Sequence, residues 1–230
     1  MLSRFLACLA APWLSLAAYS VCAMEVRVSG NQLILSGAIV GDEFARMRDV
    51  LPANKQIDTV ILQDSRGGDV WAATRMAEAF QELRFKTAVS GHCMSACVIV
   101  FLGGVERMFA DGKPGGTTFL AIHTPTFQSD GGLRHRQGDV HIHGQGRLMS
   151  WMSPRIKDVA LLELGLSNAN PSGFIYLFDP ARSTRKDGVT VFRCHGHEKR
   201  RVADCEPIPG KDALQAGFIT STTILQVNPQ

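Results

Sequence analysis

Hydrophobic and polar positions along residues 25–123 alternate between a two-residue period and a helical period, which predicts strands and helices in turn. Residues 58–63 form an almost continuous apolar run, as expected of a strand buried on both faces. Residues 69–85 repeat apolar side chains on one helical face. This alternation favours an α/β domain with a largely parallel sheet. The other predicted elements are a hairpin at 25–40, a helix at 41–51, a strand at 86–90, a turn at 91–93, a helix at 95–102, and strands at 107–110 and 119–122.

The C-terminal half is less regular, and it adds two appendages to the predicted domain. Residues 124–146 are polar and rich in glycine and histidine, which is typical of an inserted loop. Residues 189–206 predict a hairpin that carries two cysteines. We therefore expect a single domain over residues 24–230. The remaining predicted elements are a helix at 147–166 interrupted at Pro154, a turn at 167–173, a loop at 179–185, a short helix at 211–216 and a strand at 217–225.

Residues 1–23 have the three parts of a secretory signal peptide. A basic start is followed by an uncharged apolar run at 5–18, and Val21-Cys22-Ala23 offers small residues for cleavage. Because this run is too short for a stable membrane span, we expect cleavage before Met24 and a periplasmic or secreted protein. The alternative is an uncleaved N-terminal segment that anchors the protein to a membrane.

Composition excludes two classes of protein. With 45% hydrophobic and 20% charged residues, the chain of 230 residues is not intrinsically disordered. Its formal net charge of +3 is too small to indicate nucleic acid or an anionic membrane as a partner. We therefore expect no nucleic-acid partner.

Four cysteines remain after the signal peptide, and an even number in an exported protein predicts disulfides. Pairing the hairpin about Lys199-Arg200 sets Cys194 opposite Cys205, within reach of a bridge. Cys93 and Cys97 are four positions apart, so they form either a demanding second bridge or two buried thiols.

Two histidine clusters raise the question of a metal. His195 and His197 flank Cys194 but lack the paired-cysteine spacing of a zinc ribbon. His141 and His143 are a candidate zinc pair, although a solvated loop that also contains His135 is the favoured interpretation. We therefore expect no metal site.

The turns at the carboxyl ends of parallel strands bring three candidate groups together. Gly67-Gly68 offers flexible backbone donors, Ser95 offers a hydroxyl at a helix start, and His123 offers an imidazole. These are the parts of an oxyanion hole, a nucleophile and a general base. Each also has a purely structural interpretation, as a turn, a helix N-cap and a hydrogen-bonded strand end, and the chain lacks a Gly-x-Ser-x-Gly motif.

The order of these motifs resembles the ClpP/crotonase superfamily, in particular the Clp protease proteolytic subunit and signal peptide peptidase A. Asp64-Ser65-Arg66-Gly67-Gly68 stands where the family shows Asn-Ser-Pro-Gly-Gly, and Ser95 follows in Cys-Met-Ser-Ala-Cys. Ala121-Ile122-His123-Thr124-Pro125 matches the family's histidine motif. The resemblance covers residues 33–125 and returns at 211–219. It implies repeated β-β-α units with a mainly parallel sheet flanked by helices.

The resemblance also implies a role for each residue. Ser95 is the nucleophile, His123 is its base, and the N–H groups of Gly67 (or Gly68) and Ala96 form the oxyanion hole. The third member is an acid about a dozen residues before the closing glycine, for which Asp204 is the candidate and Asp179 the reserve. Arg66 replaces the family's proline, so the oxyanion turn is expected to differ.

Two classes of function follow from the resemblance. The first is an exported serine hydrolase, most simply a peptidase, that needs no cofactor and acts on a peptide or protein substrate. The second is a non-catalytic ClpP-like binding or assembly protein of the periplasm. The family's habit of association predicts a homo-oligomer with residues 147–166 at the contact. An exported member meets no ATP-dependent unfoldase, so none is expected as a partner.

Overall fold

The computed structural model describes residues 23–123, 146–166, 173–184, 188–195 and 205–229. Within these ranges, five helices flank a ten-stranded sheet. The strands are β1 Glu25–Ser29, β2 Gln32–Ser36, β3 Thr59–Ser65, β4 Lys86–Met94, β5 Arg107–Ala110, β6 Phe119–Ile122, β7 Gly173–Phe178, β8 Thr190–His195, β9 Cys205–Asp212 and β10 Ile224–Leu225. The helices are α1 Glu43–Val50, α2 Val70–Glu82, α3 Ala96–Leu102, α4 at residues 146–152 and α5 Val159–Leu166.

The sheet is parallel at its centre and antiparallel at its flanks, which confirms the predicted α/β class. Its order is β1-β2-β3-β4-β6-β7-β8-β9, and β5 lies between β4 and β10. The pairs from β2 to β6, together with β4–β5 and β5–β10, are parallel. β4 is long enough to pair with β5 through its first half and with β6 through its second half. This forked pairing brings the ends of β3, β4 and β6 together.

The main core lies between the sheet and helices α2 and α3. α2 buries one alanine-rich stripe with Met76 and Phe80, and all seven residues of α3 are buried. α2 begins where predicted, because the Asp69 side chain accepts a hydrogen bond from the N–H of Ala72. No helix in the described residues is long and apolar enough to cross a membrane.

Four predicted elements differ in the structure. The turn predicted at 91–93 is the second half of β4, because the strand continues through a bulge. β7 was not predicted, although it pairs with both β6 and β8. The helix predicted at 211–216 is replaced by the end of β9 and a series of turns, and the strand predicted at 217–225 is reduced to Ile224–Leu225.

The C-terminal tail runs back across the sheet to the first hairpin. Ile224–Leu225 pairs with Phe109–Ala110 of β5. Farther on, the Gln32 side chain donates to the carbonyl of Gln226 at 2.7 Å and accepts from the N–H of Asn228 at 2.8 Å. Both ends of the described chain are therefore fastened to one sheet.

The cysteine hairpin has the predicted register, and both cysteine pairs lie at disulfide distance. Cys194 on β8 stands directly opposite Cys205 on β9, with their Cα atoms 4.1 Å apart. Residues 196–204, which include the turn of the hairpin and Asp204, lie outside the described residues.

Removing this bridge is expected to lower the free energy of unfolding by about 2–3 kcal/mol, because the bridge closes a short loop in the unfolded chain. The test is urea denaturation of the Cys194→Ala/Cys205→Ala protein beside the unaltered one. An unchanged midpoint in oxidised protein would contradict the prediction.

Arg107 is a buried cation that is held by carbonyl oxygens. Its guanidinium donates to the carbonyls of Gly104, Phe218, Gly217 and Arg155 at 2.7 to 3.2 Å, and the residue is 8% exposed. Burial, with a further contribution from the charge of Arg155, lowers the pKa of Arg107 to about 10. The group therefore stays charged at neutral pH and fastens the chain after β9 to the start of β5.

Arg107→Met is expected to destabilise the fold by about 3 kcal/mol or more, because the carbonyls that bind the guanidinium lose their donor inside the protein. Thermal unfolding measures the loss. Arg75→Met, at an exposed position of α2, is the matched control and is expected to change stability by less than about 0.5 kcal/mol. Equal melting temperatures for the two variants would contradict the assignment.

Candidate active site

Ser95 occupies a strained turn between β4 and α3. Its backbone has φ 55° and ψ −126°, a region that side-chain-bearing residues rarely adopt. Its N–H donates to the carbonyl of Ala121 at 3.0 Å, and its carbonyl accepts from the N–H of Val98 at 2.9 Å. The side chain forms no cap hydrogen bond with α3, so the N-cap interpretation is not supported. Such a strand-to-helix turn presents a hydroxyl at the end of a sheet.

A bulge in β3 and β4 leads into this turn. The register between the two strands shifts from Gln63 opposite Ser90 to Ser65 opposite Cys93. Asp64 is forced to φ 48°, and its carboxylate takes the space where Gly91, at φ 82°, has no side chain. The shift ends the regular ladder before Met94, which changes the direction in which β4 delivers Ser95.

The Asp64 carboxylate binds two cations beside the bulge. It accepts from His92 Nδ1 at 3.1 Å and from Lys113 Nζ at 2.6 Å. Burial is the main cause of the lowered pKa of His92, and the charges of Arg66 and Lys113 outweigh part of the opposing effect of Asp64. The histidine therefore favours its neutral form, and the pair fixes the bulge without adding a strong charge near Ser95.

The Gly67-Gly68 turn lies directly against Ser95. A Cβ atom on Gly67 would approach the Met94 carbonyl oxygen to 2.6 Å and the Ser95 Cβ to 2.9 Å. The Gly67 N–H already donates to Ser65 Oγ at 3.2 Å, whereas none of the described residues accepts a hydrogen bond from the Gly68 N–H. Arg66 is exposed, and the turn forms without the family's proline. Gly68 is therefore the better placed donor of the two glycines.

His123 follows β6 and is brought beside Ser95 by the pairing of β4 with β6. Met94 is opposite Ala121, so Ser95 comes level with Ile122 and His123 is the next residue. The imidazole is partly buried, and its ring centre lies 4.9 Å from that of Phe174. Ser95, Ala96 and His123 line one small pocket. The structure thus brings together the three groups that sequence analysis placed at separate turns.

The rest of this pocket is apolar. Helices α4 and α5 cover one side of it, and α2 and α3 supply the other side. The lining residues besides the three named above are Val70, Val98, Ile99, Ile122, Leu148, Met152 and Leu166. An apolar wall keeps bulk water away from a serine and histidine and strengthens the hydrogen bonds between them.

Asp179 lies at the wrong end of β6 to assist His123. Phe178 pairs with Phe119 at the start of β6, and His123 follows its end, about 16 Å away along the strand. The Asp179 carboxylate accepts instead from the N–H groups of Gly116, Thr118 and Ala181. Asp179 therefore stabilises the turn before β6.

Several predicted residues lie outside the described residues. They are Asp204 and the three loop histidines His135, His141 and His143. Most of the predicted inserted loop, residues 124–145, falls in the same category, as do residues 1–22 of the predicted signal peptide.

Sequence analysis missed how the cysteines relate to the nucleophile turn. Cys93 and Cys97 stand two positions before and two positions after Ser95, and their Cα atoms are 5.3 Å apart. The spacing Cys-x-Ser-x-Cys repeats that of Gly-x-Ser-x-Gly with cysteine in place of glycine. That spacing was the signal from which the turn could have been predicted.

The same fold occurs in proteases of known structure. No family model matches the chain, and no curated protein matches its sequence. ClpP1 from Listeria monocytogenes has a TM-score of 0.51 and 13% identity, over 87% of this chain and 93% of that one. A mutant of that ClpP1 gives 0.48 and 14% over the same shares, and a mutant of the 1510-N membrane-bound stomatin-specific protease gives 0.46 and 12%, over 85% of this chain and 78% of that one. The predicted ClpP-like fold is confirmed by the similarity to ClpP1.

Proposed function

We propose that this protein is an exported serine hydrolase, and more narrowly a peptidase, in which Ser95 is the nucleophile and His123 the general base. The observation that carries the proposal is the strained conformation of Ser95 at the β4–α3 turn, in the pocket that also contains His123. Strain of this kind persists only where the surrounding structure holds it, and it is concentrated at functional sites.

The proposed reaction has two steps. Ser95 Oγ attacks the substrate carbonyl carbon while His123 takes the hydroxyl proton, and the same proton then passes to the leaving amine as the C–N bond breaks. Water, deprotonated by His123, next attacks the acyl-serine ester and releases the acid, which returns the proton to Ser95.

The proposed oxyanion hole consists of the Gly68 and Ala96 N–H groups. Gly67 serves by leaving room, because any side chain there would meet the backbone on either side of Ser95. Ala96 is the first residue of α3, and its N–H has no acceptor among the described residues. Two unpaired backbone donors beside a nucleophile are what a developing oxyanion requires.

Asp204 remains the proposed third member of the site. It immediately precedes Cys205, whose pairing with Cys194 would restrain it. The place of Asp179 at the far end of β6 leaves Asp204 as the candidate of the two. If Asp204 does not reach His123, the site works as a Ser-His dyad.

The wider biological setting is part of the proposal. Cleavage of residues 1–23 would release one domain, residues 24–230, into the periplasm or the medium. Two cysteine pairs at disulfide distance fit an oxidising compartment. We expect a homo-oligomer that associates through residues 147–166 and degrades peptides or unfolded proteins without an ATP-dependent unfoldase.

A fluorophosphonate probe tests the proposed function directly. Purified, oxidised protein covering residues 24–230 is incubated with the probe, and the adduct is located by peptide mass mapping. We expect one phosphonylated residue, Ser95. A folded protein that takes up no probe would overturn the hydrolase proposal and leave the non-catalytic binding or assembly protein as the function.

A further inference from the structure

The cysteines on either side of Ser95 close the turn that presents it. Four residues of extended chain would span about 13 Å, yet the Cα atoms of Cys93 and Cys97 are 5.3 Å apart. The chain therefore reverses sharply within five residues, from the end of β4 to the first turn of α3. Both cysteines are fully buried, with 0% of their surface exposed.

Few other contacts hold the strained conformation. The bond from the Ser95 N–H to the Ala121 carbonyl fixes one side of the turn, and the bond from Val98 to the Ser95 carbonyl belongs to the start of α3. Neither bond restrains the separation of β4 from α3 across the serine. A disulfide between Cys93 and Cys97 does restrain it, because it joins the residues that flank the turn.

Glycine at these two positions would solve the same problem in another way. In Gly-x-Ser-x-Gly turns, the absence of side chains lets the strand and the helix approach each other. In this chain the approach is made by two side chains that are bonded to each other. The bond replaces the steric freedom of glycine with a covalent constraint.

We propose that the Cys93–Cys97 disulfide is a positioning element for the nucleophile. It holds Ser95 at positive φ, so that the hydroxyl points into the pocket shared with His123. This inference rests on the proposed hydrolase function and concerns the geometry of the same site. When the disulfide is opened, β4 and α3 separate, Ser95 relaxes to an ordinary backbone conformation, and its hydroxyl leaves the position from which it attacks.

The first test is the Cys93→Ala/Cys97→Ala protein, assayed for probe labelling and for peptide hydrolysis. We expect the labelling rate and kcat to fall by about tenfold or more, with KM little changed, because the pocket walls stay in place. Val100→Ala is the control, since it creates a cavity in α3 away from the pocket lining and lowers stability without touching the turn. An equal loss of kcat in Val100→Ala would overturn the proposal, as would an unchanged labelling rate in the cysteine variant.

A second test uses the unaltered protein and does not depend on the folding of a variant. A water-soluble phosphine reduces each disulfide to two thiols, and the phosphine is oxidised to its oxide with oxygen from water. Alkylation and peptide mapping measure which pair has opened. The half-buried Cys205 is expected to open its bridge before the fully buried pair does.

Probe labelling of Ser95 is expected to fall in step with the opening of Cys93–Cys97 and to return when the phosphine is removed and oxidised glutathione restores the bond. Labelling that survives complete opening of Cys93–Cys97 would overturn the inference while leaving the hydrolase proposal intact. Failure of the oxidised protein to label at all would instead overturn the proposed function, and this inference with it.

Discussion

Ser95→Ala is expected to abolish fluorophosphonate labelling and peptide hydrolysis while leaving the melting temperature almost unchanged. The hydroxyl is the only nucleophile in the proposed mechanism, and it does not cap α3. Alanine at φ 55° carries about the same backbone strain as serine, so the turn is retained. Labelling is measured by gel fluorescence, hydrolysis with fluorogenic peptides, and folding by thermal denaturation.

Ser36→Ala is the matched control for this experiment. Ser36 is a half-buried serine at the end of β2, next to β3 and away from the pocket. The control is expected to label at the rate of the unaltered protein. If Ser95→Ala and Ser36→Ala label equally, the probe is modifying another residue and Ser95 is not the nucleophile. His123→Ala belongs to the same series, and it is expected to slow labelling by about 10²-fold or more because the hydroxyl loses its base.

Gly68→Ala is expected to lower kcat/KM by about 10²-fold or more. A Cβ atom at Gly68 would collide with the Ile39 carbonyl oxygen, and φ 142° is unfavourable for alanine. The turn must therefore move, and its N–H moves away from the oxyanion. Loss of a single oxyanion donor costs about 10²- to 10³-fold in kcat.

Gly41→Ala separates this effect from general strain. Gly41 has φ 117°, but no atom lies within 4 Å of the position that a Cβ would take. This control is expected to lose stability without losing activity, when kcat/KM and melting temperature are measured on both variants. Comparable losses of kcat/KM in Gly41→Ala and Gly68→Ala would contradict the oxyanion assignment.

Periodicity was sufficient to predict the central elements of the fold and insufficient for its irregular ones. β3, β5 and β6 follow from short apolar runs whose neighbours are turn residues. The second half of β4 could not be predicted, because Gly91 has the composition of a turn and continues the strand only through the bulge that Asp64 and His92 stabilise. β9 contains two prolines, which an edge strand tolerates but which oppose any prediction of a strand.

The candidate site was predicted to a greater extent than the elements around it. The order of Gly67-Gly68, Ser95 and His123 along the chain led to the groups that the structure gathers in one place. The choice between Gly67 and Gly68 required the hydrogen bond to Ser65, which has no sequence signature. The exclusion of Asp179 required the antiparallel pairing of β6 with β7, a strand that the sequence analysis did not identify.

The return of the C-terminal tail to β2 has a consequence for the order of folding. Its hydrogen bonds to Gln32 join residues 194 and 196 positions apart. Contacts of such long range form slowly, because a large loop must close before they contribute. The tail is also the last part of the chain to leave the ribosome, so the N-terminal hairpin has no partner for these bonds during synthesis. A chain whose final closure waits for its last residues remains threadable until it is complete, which suits a protein that has to pass through a translocation channel before it folds.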